Sequence, residues 1–275
     1  MRIANAAGEQ VHVVESGEGP PLLLASGLGG AWFDWDPTVE LLREDHRVVV
    51  YDNPGLGRSP AAQAPPSLRR NVRIMAALAD EIGPPVTVLA HSMGAFTAEA
   101  LARLHPELLN GLVLVDPSQE RDPCARPRLA AALDPLARAL GTGLNATRLA
   151  RLAGPAGRRL VLRFTSDRDD TVPAETVRDV YGRGTVLGTI VAEELAYREM
   201  AADLDALRDR RPFPDLPLVV LTALGDAGPS WAEGHRRLAA MSPRGRQVEL
   251  PRAKHMLQLD RPDAIADAVA AVAKP

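Results

Sequence analysis

At 275 residues, 46% hydrophobic and 24% charged, the chain has the composition of a globular protein, and a net charge of −3 gives no electrostatic footprint for nucleic acid or membrane. No unbroken apolar run is long enough to span a membrane, and the first nine residues are too polar for a signal-peptide core. The single cysteine, Cys124, excludes an internal disulfide framework and reads as incidental, so a cytoplasmic location is expected.

Apolar runs at 11–14 and 21–25 predict short strands, the second of a type buried on both faces. The second leads into Ser26-Gly27-Leu28-Gly29-Gly30, whose glycines can turn backbone N–H groups toward a bound oxygen; a plain flexible turn has the same composition. Trp32, Phe33 and Trp35 follow. In a chain with only 4% aromatic residues, that cluster suits a pocket wall or core packing equally. Asp36-Pro37 predicts a helix start with Asp36 as its cap. Residues 47–52 form the next strand, before an Asn53-Pro54-Gly55-Leu56-Gly57-Arg58-Ser59 turn that Asp52 and Arg58 would brace. Ser67 can cap a helix carrying Leu68, Val72, Met75, Leu78 and Ile82 as one stripe, stopped by Gly83-Pro84-Pro85.

Residues 86–89 predict a buried strand that breaks at Ala90-His91-Ser92-Met93-Gly94. A helix follows with Phe96, Ala100, Leu101 and Leu104 on one face, ended by Pro106. A serine at the apex of strand, sharp turn and helix is the context of a nucleophile elbow, here with alanine at its first small position. A serine that merely caps a helix is the plainer alternative. The strand at 111–115 ends in Asp116-Pro117. From 118 to 212 no strand pattern is evident, and alanine, leucine, arginine and acidic residues at helical spacing predict a helical insertion. Its charges are expected to alternate in sign on a solvated face. Strand character resumes at 216–222, leading to Gly225-Asp226, and a helix spans about 230–241. A last strand at 247–250 precedes Ala253-Lys254-His255-Met256, and a closing helix from Pro262 aligns Ile265, Val269 and Val272. Strands alternating with amphipathic helices predict an α/β fold: a mainly parallel sheet with helices on both faces. Its core is 1–117 and 213–275, with a helical cap at 118–212.

A serine hydroxyl is a weak nucleophile at neutral pH and needs a histidine base, itself oriented by a carboxylate. Of the six histidines, His255 stands in the loop after the last strand, where the carboxyl-end loops of a parallel sheet converge. Asp226 holds the matching place after the preceding strand, and His91, beside Ser92, should point away from it. The order Ser92, Asp226, His255 is that of one serine-hydrolase architecture. Asp116 is a second candidate acid, although a carboxylate capping the turn with Pro117 is the preferred reading there.

Together the Ser26-to-Gly30 loop, the Asp52-to-Ser59 turn, the Ala90-to-Gly94 elbow, Gly225-Asp226 and the run from His255 to Pro262 resemble the α/β-hydrolase superfamily, in its capped, esterase-like branch. The resemblance implies Ser92 as nucleophile, His255 as base and Asp226 as its partner. It also implies an oxyanion hole from the backbone N–H groups of Leu28 and Met93, with Gly27, Trp32 and His91 near the substrate. Ser26 stands where such sequences usually carry histidine, so the loop must be held by other hydrogen bonds. A serine nucleophile argues against the dehalogenase and epoxide-hydrolase chemistry of aspartate-bearing relatives. The function so implied is a serine hydrolase of a small, mainly apolar ester or related acyl substrate, with no cofactor, metal, nucleic-acid or membrane partner. Alternatives are carbon–carbon bond hydrolysis, lyase or perhydrolase chemistry with the same triad, and a non-catalytic ligand-binding protein on the same scaffold.

Overall fold

The computed structural model describes residues 1–120, 129–225 and 227–273, so Cys124 and Asp226 lie outside the described residues. In chain order the strands are β1 (Arg2–Ala6), β2 (Glu9–Ser16), β3 (Pro21–Ala25), β4 (Arg47–Tyr51), β5 (Val86–His91), β6 (Leu109–Val115), β7 (Leu218–Ala223) and β8 (Gly245–Leu250). The α-helices are α1 (Asp36–Leu42), α2 (Leu68–Ile82), α3 (Gly94–Leu104), α4 (Ala130–Ala146), α5 (Ala150–Thr165), α6 (Ala174–Tyr181), α7 (Gly184–Arg208), α8 (Pro229–Ala239), α9 (Leu257–Asp260) and α10 (Pro262–Val272). The described strands form one eight-stranded sheet in the order β1-β2-β4-β3-β5-β6-β7-β8. β1 and β2 are antiparallel to their neighbours, and every other pairing is parallel.

The period-2 alternation of each central strand divides the core into two layers. Leu23, Val49, Val88 and Leu112 face α2 and α3 on one side, while Leu24, Val50, Leu89 and Val113 face α1 and α10 on the other. Ser67 caps α2 as expected, its side chain accepting from the Arg70 N–H at 3.3 Å. Asp36 does not cap α1; it is the first residue of that helix, and no side chain caps it. β1 was not legible in the sequence, because only Ala4 and Ala6 of its five residues are buried.

Between β6 and β7 the described residues carry α4–α7 and no strand. The expected mixing of charge signs holds from Asp167 to Arg211 but fails in the earlier part of the insertion. From 135 through 166 there is no aspartate or glutamate, while Arg138, Arg148, Arg151, Arg158, Arg159 and Arg163 all fall within it. Glycines bring these helices into backbone contact. A β-carbon at Gly141 would lie 2.5 Å from the Gly184 carbonyl oxygen, one at Gly188 2.7 Å from that of Ala137, and one at Gly154 1.8 Å from that of Tyr181.

Candidate active site

β5 is buried along its whole length and delivers Ser92 to the carboxyl edge of the sheet. Ser92 has φ +51°, a left-handed conformation that turns the chain sharply into α3 and lifts the hydroxyl clear of the strand. Small residues around it are sterically required. A β-carbon on Gly94 would lie 2.7 Å from the Ser26 carbonyl oxygen, and one on Gly27 would lie 2.8 Å from Ser92 Cβ. The Gly27 loop and the elbow therefore pack backbone to backbone.

His255 Nε2 lies 3.0 Å from Ser92 Oγ, and its Nδ1 lies 2.6 Å from Asp116 Oδ2. A carboxylate only accepts, so Nδ1 carries the proton and the bare Nε2 accepts from the serine hydroxyl. The strand order points to Asp226 as the acid, but Asp116 occupies that place, and Asp226 lies outside the described residues. Register explains the reach of Asp116: β5 and β6 pair in parallel with His91 opposite Val115, so Ser92 and Asp116 leave the sheet side by side. Asp116 also adopts a left-handed φ of +40°, which turns its carboxylate toward the site. Its second oxygen accepts from the Ala223 N–H and from Trp231 Nε1, both at 2.9 Å, and the residue is 2% exposed. Those bonds hold the anion in one orientation without competing for Oδ2. Nearby, His235 bonds Thr222 and the Pro117 carbonyl, and burial pushes its pKa below the ordinary histidine value despite Asp116 close by.

His91, expected near the substrate, lies beneath the site. It is 4% exposed, its Nε2 donates to the His255 carbonyl at 3.0 Å, and its Nδ1 faces Gln258 Nε2 at 3.3 Å. Burial, with His255 adjacent, holds its pKa well below the usual value. A neutral ring, its centroid 4.6 Å from that of His255 and tilted 47° to it, props the base from behind. Trp32 is likewise in the core, 6% exposed and edge-on to His12, and Phe33 and Trp35 are buried with it, so core packing accounts for the aromatic cluster. Asp52 braces its turn by accepting from the backbone N–H groups of Trp32 and Arg58.

The glycine loop is held by groups that the sequence alone did not single out. Trp35 Nε1 donates to Ser26 Oγ at 3.0 Å, filling in for the missing histidine. From the insertion, Glu193 Oε2 accepts the Gly29 N–H at 2.9 Å while the Tyr181 hydroxyl donates to the Gly29 carbonyl at 3.0 Å. Glu193 is 1% exposed, and burial pushes its pKa up to about 7, opposed by the Gly29 N–H, Arg70 and Asn53. Neither the Leu28 nor the Met93 N–H donates to a protein acceptor among the described residues. Ser118, also unanticipated, places its hydroxyl 3.3 Å from Ser92 Oγ.

Two cavities flank the site. One of about 330 Å³ lies between the loop and the insertion, lined by Leu28, Gly29, Val161, Leu162, Tyr181, Leu187, Ile190 and Met256 among others. Its one basic lining residue, Arg158, is already paired with Asp34 at 2.7 Å and Asp170 at 2.8 Å. The other, about 250 Å³, is lined by Asp116, Phe164, Trp231 and His255 among others. Among the described residues no group of three or more His, Cys, Asp or Glu side chains is arranged to hold a metal ion.

A parallel sheet with a serine elbow, a histidine after the last strand and a helical insertion after β6 defines a class. The chain belongs to the alpha/beta hydrolase family, whose model matches residues 22–268. It is 27% identical over 264 residues to the (E)-2-((N-methylformamido)methylene)succinate hydrolase of Acinetobacter baylyi, covering 94% of this chain and 92% of that one. It is 37% identical over 109 residues to a Pseudomonas syringae protein named carbamate hydrolase RutD, a match spanning 39% of this chain and only 42% of that relative. Among solved structures, an alpha/beta hydrolase fold protein from Burkholderia ambifaria superposes with a TM-score of 0.72 at 26% identity, covering 98% of this chain and 96% of that one.

Proposed function

We propose that the chain is a serine hydrolase that cleaves a small, mainly apolar ester or related acyl substrate through an acyl-enzyme, with Ser92, His255 and Asp116 as its triad. The observation that carries this reading is the unbroken relay from Ser92 Oγ to His255 Nε2 at 3.0 Å and from His255 Nδ1 to Asp116 at 2.6 Å. In the first half-reaction Ser92 Oγ attacks the acyl carbon as His255 Nε2 takes its proton. The oxyanion falls to the Leu28 and Met93 N–H groups, each worth about 3 kcal/mol in the transition state. His255 then protonates the leaving group, and a water deprotonated by the same nitrogen releases the acyl group from Ser92. Asp116 stays ionised, fixes the tautomer and stabilises the transient imidazolium. The 330 Å³ cavity beside Leu28 suits the acyl chain, and the insertion acts as its cap.

A second reading keeps the relay and cleaves a carbon–nitrogen bond, as the names of the formamido-succinate and carbamate hydrolase relatives suggest. On either reading the cavity beside Leu28 favours a neutral over an acidic substrate, because Arg158 is already neutralised by two carboxylates and offers no free cation to a succinate. Ser92→Ala separates hydrolysis from mere ligand binding. It should abolish labelling by a fluorophosphonate and lower turnover of short acyl esters by about 10⁴-fold or more. Labelling that survives the substitution would contradict the reading. Turnover of matched esters, amides and carbamates by the unmodified protein then ranks the two reactions.

A further inference from the structure

Within the insertion, α5 wears most of its large apolar side chains on the outside. Along α5 the buried positions are Ala150, Gly154, Pro155, Arg158 and Leu162. Leu152, Leu160, Val161 and Phe164, by contrast, are 75%, 59%, 56% and 67% exposed. A helix at the surface of a globular domain normally has the opposite arrangement. The same surface is cationic. Arg148, Arg151, Arg159 and Arg163 are exposed, no acidic residue lies between Asp134 and Asp167, and the remaining arginine of α5, Arg158, is buried in its pairing with Asp34 and Asp170. At 3.6 residues per turn, Leu152, Arg159, Leu160, Arg163 and Phe164 share one face.

We propose that this face of α5 docks the protein on an anionic phospholipid bilayer, with the guanidinium groups at the headgroup phosphates and Leu152, Leu160 and Phe164 sunk into the acyl boundary. Glu175 and Asp179 line the surface beside Arg148, Arg151 and Leu152, but α5 itself carries no carboxylate, and cations interleaved with large apolar side chains along one helix are what an interfacial helix requires. A second copy of the chain fits poorly, because a two-fold axis through this face would set arginine against arginine. Position supports the assignment. Phe164, on the docking face, also lines the cavity containing His255, so docking by α5 would set that cavity beside the bilayer. The net charge of −3 hides this patch, since the compensating acids lie elsewhere in the chain. The claim rests on the surface of α5 and not on the reaction at Ser92.

The test is sedimentation of the full chain with vesicles of phosphatidylcholine alone and of phosphatidylcholine mixed equally with phosphatidylglycerol. Binding should require the anionic lipid and weaken with added salt. Arg159→Glu with Arg163→Glu should lower partitioning on the order of 25-fold from the two lost cations alone. Leu152→Ser with Leu160→Ser, neither of which lines a cavity at the site, should lower it through lost insertion. These side chains are exposed, so both double variants should keep the wild-type circular dichroism and fluorophosphonate labelling of Ser92. Equal binding to the two vesicle types, or binding that survives both double variants, overturns the proposal. Self-association that depends on Leu152 and Leu160 without vesicle binding also overturns it, in favour of an interface between copies. A complex with an acidic protein but not with vesicles counts against it in the same way.

Discussion

The sheet core and the helical insertion solve the packing problem in opposite ways. In the core, large side chains point inward: Leu101, Leu89 and Met75 are fully buried between sheet and helices. In α4 and α5 of the insertion, glycine and alanine take most inward positions, as at Gly141 against Gly184 and Ala137 against Gly188, and Leu136, Leu140, Leu152 and Leu160 point to solvent. Close backbone approach through small residues leaves no room between the helices for larger ones, an arrangement more usual among helices that meet in lipid. The core's apolar residues are thus explained by folding alone. The exposed leucines and Phe164 on the outer face of α4 and α5 are not, which is why they point to an interaction.

Substitutions can break or sharpen this contrast. The largest expected effect is in the core, where Leu101→Ala removes a fully buried side chain and should cost about 2–5 kcal/mol in denaturant unfolding. Next is the contact between the two regions. Glu193 ionises in the folded protein near 7 rather than at its ordinary 4.5, so the native state holds an extra proton in that window and loses stability as pH rises through it. That loss amounts to about 3 kcal/mol at pH 8. Glu193→Gln should abolish it, leaving a variant more stable than wild type at pH 8 but not at pH 4; unfolding curves at the two pH values check this. Because Glu193 also holds the Gly29 N–H, Glu193→Ala should lower kcat for ester turnover about 10-fold with little change in KM, and glutamine should restore most of it. The smallest effect is at the outer face. Leu152→Ser should change stability by no more than about 0.5 kcal/mol, whereas a loss comparable to Leu101→Ala would mean that the leucine packs.

Much of this was legible in the residues. The buried strands, the Ser67 cap, the elbow at Ser92 and the place of His255 all follow from local patterns: continuous apolar runs, turn chemistry and a small residue at Gly94. The acid did not, because Asp116 and Asp226 both follow a strand of the same type. The choice depends on which carboxylate the His255 loop reaches, a long-range property. The parallel pairing of β5 with β6 was the available signal, since it predicts that residues one past each strand end are neighbours. The burial of Trp32 and His91 was not decided by sequence either: adjacency to the glycine loop and to Ser92 does not say which side of the sheet edge a side chain takes. The outer face of α5 was the least legible. Hydrophobic periodicity assigns leucines to a core by default, and nothing local reveals that glycines have taken the inward positions.

The central claim is that Asp116 orients His255 for attack by Ser92. Turnover of a short acyl ester by Asp116→Asn and Asp226→Asn, measured side by side, tests it most directly. The relay geometry predicts that Asp116→Asn lowers kcat by about 10³–10⁴-fold by favouring the wrong tautomer, while Asp226→Asn stays within about 10-fold of wild type. The reverse ranking would contradict the account and return the acid to the loop after β7.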